Sequence, residues 1–145
     1  MKIFLVLLVL TGFILACNTT VNSIKLTPEQ QEYVARAMQQ AIPVVVPKDK
    51  AEETWGRIQS FIGQYASMKI QIATDYIVET YNPDGSSFHY AYKAAKIVKG
   101  DTVEFALSCF SNAVFGMADK ECARNVHLLA HYAATGELMP ELIIR

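Results

Sequence analysis

The chain has 145 residues, with 13 basic against 14 acidic side chains and a formal net charge of −1. That length suits one ordinary domain with its own buried core. Without a basic surplus to collect phosphates, nucleic acid is not expected as a partner.

At the amino end, Lys2 precedes an apolar run from Ile3 to Phe13, broken only by Thr11 and Gly12. The small residue Ala16 then stands directly before Cys17. A charged start, a short apolar core and a small-residue cleavage position are the parts of a secretory signal. The run is too short to cross a bilayer, which takes about 20 apolar residues. Ile14-Leu15-Ala16-Cys17 resembles a lipobox, the mark of bacterial lipoproteins. The resemblance implies cleavage before Cys17, acylation of its thiol and amine, and attachment of the protein to a membrane through lipid. A plain secretory signal with an incidental cysteine is the competing reading. The expected organisation is a signal peptide over residues 1–16, a lipidated tether over 17–26 and one domain over 27–145. Asn18 rather than Asp after the cysteine implies, in the best-known lipoprotein sorting scheme, passage to the outer membrane, facing the periplasm.

Thr27-Pro28-Glu29-Gln30 reads as a helix start, with Thr27 capping, Pro28 at the first helical position and Gln30 completing a capping box. The helix is expected to run through Ala41, with Tyr33, Val34, Ala37, Met38 and Ala41 as its apolar stripe. Pro43-Val44-Val45-Val46-Pro47 reads as an extended connector, since each proline disfavours helix before it. Asp49 with Glu52 repeats the capping pattern and opens a second helix to about Ala66, whose stripe is Ala51, Trp55, Ile58, Ile62 and Tyr65.

From Lys69 the apolar period changes to two, which predicts a strand to Tyr81 carrying Ile70, Ile72, Thr74, Tyr76, Val78 and Thr80 on one side. Asn82-Pro83-Asp84-Gly85 is a turn sequence. A second strand follows to about Val98, with Phe88, Tyr90, Tyr92 and Ala94 on one face. Lys99-Gly100-Asp101 turns into a third, where Val103, Phe105, Leu107 and Cys109 share a face. A last helix is expected from about Ala118 to Thr135, capped by Gly136, with Cys122, Val126, Leu129 and Ala133 toward the sheet. Residues 139–145 read as a loose tail or a short extension. The predicted fold is a two-layer α+β domain of order α-α-β-β-β-α, a three-stranded antiparallel meander covered by helices. Small envelope lipoproteins of barrel-assembly machines share the two-helices-then-three-strands order, although the carboxyl-terminal helix departs from it.

With Cys17 assigned to lipid, Cys109 and Cys122 remain, in a compartment where disulfides persist. A bond between them and two separate buried thiols are both compatible with the sequence. His127 and His131 lie four apart on one helix face, a spacing that suits two metal ligands, with His89 as a third from across the fold. They also sit opposite the Cys122-Val126-Leu129 stripe, which points them to solvent. Asp75, Glu79 and Glu104 alternate with apolar residues as solvent-facing charges do. No nucleophile elbow and no phosphate loop is present, so an enzyme is disfavoured and no cofactor is implied. Phe88, Tyr90 and Tyr92 form either a flat binding surface or part of the core beneath Trp55 and Phe61. The reading that follows is a lipid-anchored, periplasm-facing binding or envelope-assembly module with a protein partner. Its alternative is a small-ligand binder or hydrolase whose cleft lies between helices and sheet.

Overall fold

The structure, a computed structural model, describes residues 26–85, 89–112 and 117–144. The signal segment, Cys17, nearly all of the tether and Phe88 lie outside them. The class is α+β as expected, but three helices cover a five-stranded antiparallel sheet rather than a three-stranded one.

Helix α1, Pro28–Met38, begins with the expected capping box. Thr27 Oγ1 accepts from the Gln30 backbone N–H at 3.2 Å, and Gln30 Oε1 accepts from the Thr27 N–H at 3.0 Å. It stops short of Ala41 and buries Tyr33 and Ala37. The expected connector then becomes strand β1, Val44–Pro47. Its prolines sit just before and at the end of an edge strand, where a missing N–H costs no ladder bond. Val44 points into the core.

A single 3-10 turn, Lys48–Lys50, leads into helix α2, Ala51–Tyr65, without the side-chain cap anticipated at Asp49. Thr54, Trp55, Ile58, Phe61, Ile62 and Tyr65 are all buried along it.

The single strand expected over residues 69–81 is a hairpin, β2 (Ile70–Ala73) and β3 (Ile77–Thr80). Thr74 turns the chain. Its Oγ1 accepts from the N–H groups of Tyr76, at 3.2 Å, and Ile77, at 2.9 Å, while its own N–H donates to Ile77 O at 2.8 Å. A hydroxyl that offers the backbone local partners competes with a straight ladder. Strands β4 (Ala91–Lys99) and β5 (Thr102–Phe110) follow. They are joined by a tight turn in which Gly100 takes φ +58°, a conformation open to glycine without a Cβ penalty. The sheet order is β1-β5-β4-β3-β2.

Helix α3, Met117–Thr135, packs on β5 and against both other helices. That central place explains why its buried surface exceeds the expected stripe: Asn125, Leu128, Ala130 and His131 are buried along with Cys122, Val126, Leu129 and Ala133. Trp55 stacks on Phe105 with ring centroids 5.9 Å apart, tying α2 to the sheet. The carboxyl segment is no loose tail, since Leu142 and Ile143 enter the core. Asn125 holds it there. Its Nδ2 donates to Ile144 O at 2.8 Å, and its Oδ1 accepts from the Ile144 N–H at 3.2 Å.

Candidate functional site

Strand register divides the sheet into two unlike faces. Val103, Phe105 and Leu107 of β5 meet the helices. The residues between them, Glu104, Ala106, Ser108 and Phe110, face the other way, and direct cross-strand pairing carries that face outward. Val45 and Ile97 flank Glu104, Ala95 joins Ala106 to Ile77, and Lys93 joins Ser108 to Glu79 and then Ile72. No described element covers this face. Val45, Ile72, Ile77, Ile97 and Phe110 are all exposed on it, Val45 at 57%.

The charges among these residues are used locally. Lys93 Nζ lies 3.0 Å from Glu79 Oε2, and Lys99 pairs with Glu104. Both pairs are too solvated to add much stability, but they leave the surface electrically quiet. Glu79 and Glu104 are therefore partners of lysines, and Asp75 sits in the exposed β2–β3 turn. A shallow hollow of about 230 Å³ lies on the open face among Glu79, Lys93, Ser108 and Phe110.

The tyrosine platform does not form. Tyr90 and Tyr92 are each 1% exposed, on the helix-covered side. Large amphipathic rings there can bury their bodies and still bond their hydroxyls. Tyr92 OH accepts from Asn125 Nδ2 at 3.0 Å, and Tyr90 OH donates to the Glu121 carboxylate. Burial, partly offset by the Asn125 hydrogen bond, pushes the Tyr92 hydroxyl up to about 12. Burial first, then Glu121, raises Tyr90 as well. Phe88, the third member, lies outside the described residues.

The histidines are not a solvated pair. His131 is buried because α1 covers that side of α3. The Tyr33 ring meets it edge-on at 5.2 Å, and Glu137 Oε2 lies 3.7 Å from its Nε2. His127 is half-buried, with Nδ1 enclosed and without a hydrogen-bond partner among the described residues. His89 is exposed, and among the described residues no group of three or more His, Cys, Asp or Glu is placed to hold a metal ion.

Cys109 and Cys122 are bonded, with 1.99 Å between their sulfurs, and link the end of β5 to α3. Beside them opens a cleft of about 420 Å³, whose walls include Ile42, Phe110, Val126 and His127. It is the nearest counterpart of the anticipated cleft between helix and sheet. Further along, Trp55, Phe61, Phe105 and Leu129 fill that interface.

No helix among the described residues is long and apolar enough to cross a membrane. No family model, no curated protein and no solved structure matches the chain.

Proposed function

We propose that this chain is a lipid-tethered, periplasm-facing module of the cell envelope that binds a protein partner on the open face of its sheet. The observation that carries the reading is the exposure of five large apolar residues, Val45, Ile72, Ile77, Ile97 and Phe110, on one uncovered surface. Several large apolar side chains left exposed on one face support an interaction site there. Because the lysines and glutamates on it neutralise one another, the matching partner surface is apolar and uncharged rather than strongly acidic or basic.

The tether fits this orientation. The chain reaches the domain through α1, which packs on α3 in the helical layer, opposite the open face. Ten residues from Cys17 to Leu26 span at most about 36 Å when extended. A protein held on its helical side in this way turns the open face from the bilayer. The lipidation itself is tested by Cys17→Ala, which is expected to release the protein from membranes.

The binding reading is tested with a photo-crosslinking residue placed at Ile97 or, as a control, at Glu32 on the exposed side of α1. In intact cells, one recurrent envelope protein identified by mass spectrometry on Ile97 and absent from Glu32 supports the assignment. Only background at both positions refutes it.

The enclosed Nδ1 of His127 beside the disulfide cleft favours a second reading, a site for a small hydrogen-bonding ligand with an apolar body. Its test is fragment binding by NMR. Chemical-shift changes confined to α3 and the end of β5, and lost in His127→Ala, would support it.

A further inference from the structure

We infer that the cleft beside the Cys109–Cys122 disulfide takes an extended peptide segment of a partner protein, which pairs as an added strand with the uncovered half of β5. The inference rests on the reading of this cleft as a ligand site and names the ligand. Strand β5 runs over nine residues and pairs with β4 along its whole length. Its other side is only half used, because β1 pairs with residues 102–105 and goes no further.

The ladder shows which backbone groups are left over. In β4 the N–H groups of Tyr92 and Lys96 turn toward β3, to Thr80 Oγ1 at 2.9 Å and Tyr76 O at 2.8 Å. Backbone direction alternates along a strand, so Lys93 and Ala95 turn theirs toward β5, where Ser108 and Ala106 face them. Leu107 and Cys109 therefore direct their N–H and C=O groups away from β4, past the end of β1. Neither backbone has a hydrogen-bond partner on that side among the described residues. Unpaired edge groups of this kind template an added strand. The register with β4 is unbroken through Phe110, so an incoming strand meets a regular pleat.

Helix α3 supplies the opposite wall. The cleft, about 420 Å³, lies between Cys109 and Phe110 of β5 and Cys122, Val126 and His127 of α3, with Ile42 contributed by the segment just before β1. A strand edge beside such a wall suits an extended peptide: main-chain hydrogen bonds give affinity, and alternate side chains enter the groove. Residues opposite Leu107 and Cys109 turn their side chains to the same face, toward α3. Asp119 adds a carboxylate to the walls and is in no ion pair among the described residues. It selects a peptide with a basic residue. An antiparallel segment continues the line of β1. Ser108 and Phe110 border both this cleft and the hollow on the open face, so a partner docked there reaches the cleft with one extended segment.

The test uses the isotope-labelled full chain in lipid nanodiscs and the blocked peptide acetyl-Lys-Val-Thr-Val-Thr-Val-amide, whose β-branched residues favour a strand. Adding the peptide is expected to slow amide exchange at Cys109 several-fold. An analogue N-methylated at its valines keeps every side chain but loses the donors that face β5, and is expected to bind roughly tenfold more weakly. Replacing the peptide's lysine by glutamate is expected to weaken binding several-fold. Unchanged exchange at Cys109, equal affinity for the N-methylated analogue, or indifference to the charge swap overturns the inference. Slow exchange at Cys109 before any peptide is added, the mark of the chain's own tether or a second copy already paired there, overturns it too. Fragment binding lost in His127→Ala tests the cleft as a ligand site by itself. Fragments that bind where the peptide does not leave that reading standing and refute this one.

Discussion

Replacing Asn125 by alanine tests how much of the fold depends on the carboxyl segment. Asn125 is fully buried and makes three hydrogen bonds, one to Tyr92 OH and two to the Ile144 backbone. Each bond contributes about 1 kcal/mol net, and a partner left buried without a replacement costs about 1–3 kcal/mol. If the segment stays docked, the variant therefore loses about 3–5 kcal/mol. If it lets go, Leu142 and Ile143 return to water at about 1.5–3 kcal/mol each. The two routes are close in cost, so the variant is expected to lose about 3–4 kcal/mol and to fray at residues 138–144. For a domain of this size that is a fall in Tm of roughly 10–15 °C.

The chain carries one tryptophan, Trp55, buried against Phe105. Urea unfolding followed by its fluorescence reads global stability, and amide exchange at Ile143 and Ile144 reads the fraying. Tyr92→Phe keeps the ring and the Ile144 bonds and is expected to cost about 1 kcal/mol. The double variant should then lose little more than Asn125→Ala alone, because the two share an interaction. A loss below about 1 kcal/mol for Asn125→Ala, with exchange unchanged, would refute the clamp.

Alkaline pH should unfold the protein through its buried tyrosines. Tyr92 titrates near 12 when folded against an ordinary value of 10.0. The folded state thus holds the proton more tightly, and stability that is whole below pH 10 falls as pH rises through 12. A rise from 10.0 to about 12 corresponds to about 3 kcal/mol. Tyr90 shifts in the same direction, so Tyr92→Phe should flatten this loss only in part, as stability measured from pH 9 to 12 will show. Cys109→Ser with Cys122→Ser opens a loop with a sequence separation of 13. It is expected to cost about 3 kcal/mol, read as a lower urea midpoint that matches the reduced parent. Gly136 caps α3 at φ +81°, and an added Cβ would lie 3.0 Å from the Arg57 guanidinium. Gly136→Ala should cost about 1–2 kcal/mol in thermal melts, chiefly through the backbone.

The elements that were legible in the sequence are those whose stabilising contacts are local or periodic. Thr27 and Gln30 close a box across three residues, and Val103, Phe105 and Leu107 alternate because one face of β5 meets helices. The β2–β3 hairpin was hidden because Thr74 fits a period-two pattern by position while its hydroxyl acts on the backbone. Strand β1 was hidden for another reason. Val44-Val45-Val46 is extended in either reading, and only pairing with residues 102–105 makes it a strand. Nothing local distinguishes a connector from an edge strand whose partner lies nearly sixty residues on.

The candidate surface was illegible for a related reason. Alternation along β4 separates Tyr90, Tyr92 and Ala94 from Ala91, Lys93 and Ala95 but does not say which set the helices cover. Volume decides it. The helix-facing side must fill the space under Trp55, Phe61 and Leu129, and only the tyrosine set is large enough to do so. Lys93 is then left to solvent with Ala95 half-buried beside it, and the chemistry of that side emerges only with register. Lys93 reads as an isolated charge in the chain; opposite Glu79 it becomes half of a neutral pair. The lysines and glutamates of that face pair off, and the small Ala95 and Ala106 lie among the exposed Ile77, Ile97 and Val45, so large apolar side chains stand out on a face of balanced charge. Lysine substitution at Ile97 is expected to leave the fold intact, because that side chain is exposed on the open face and is not part of the core cluster, and to abolish partner capture from a crosslinker at Val45 on the far side of Glu104.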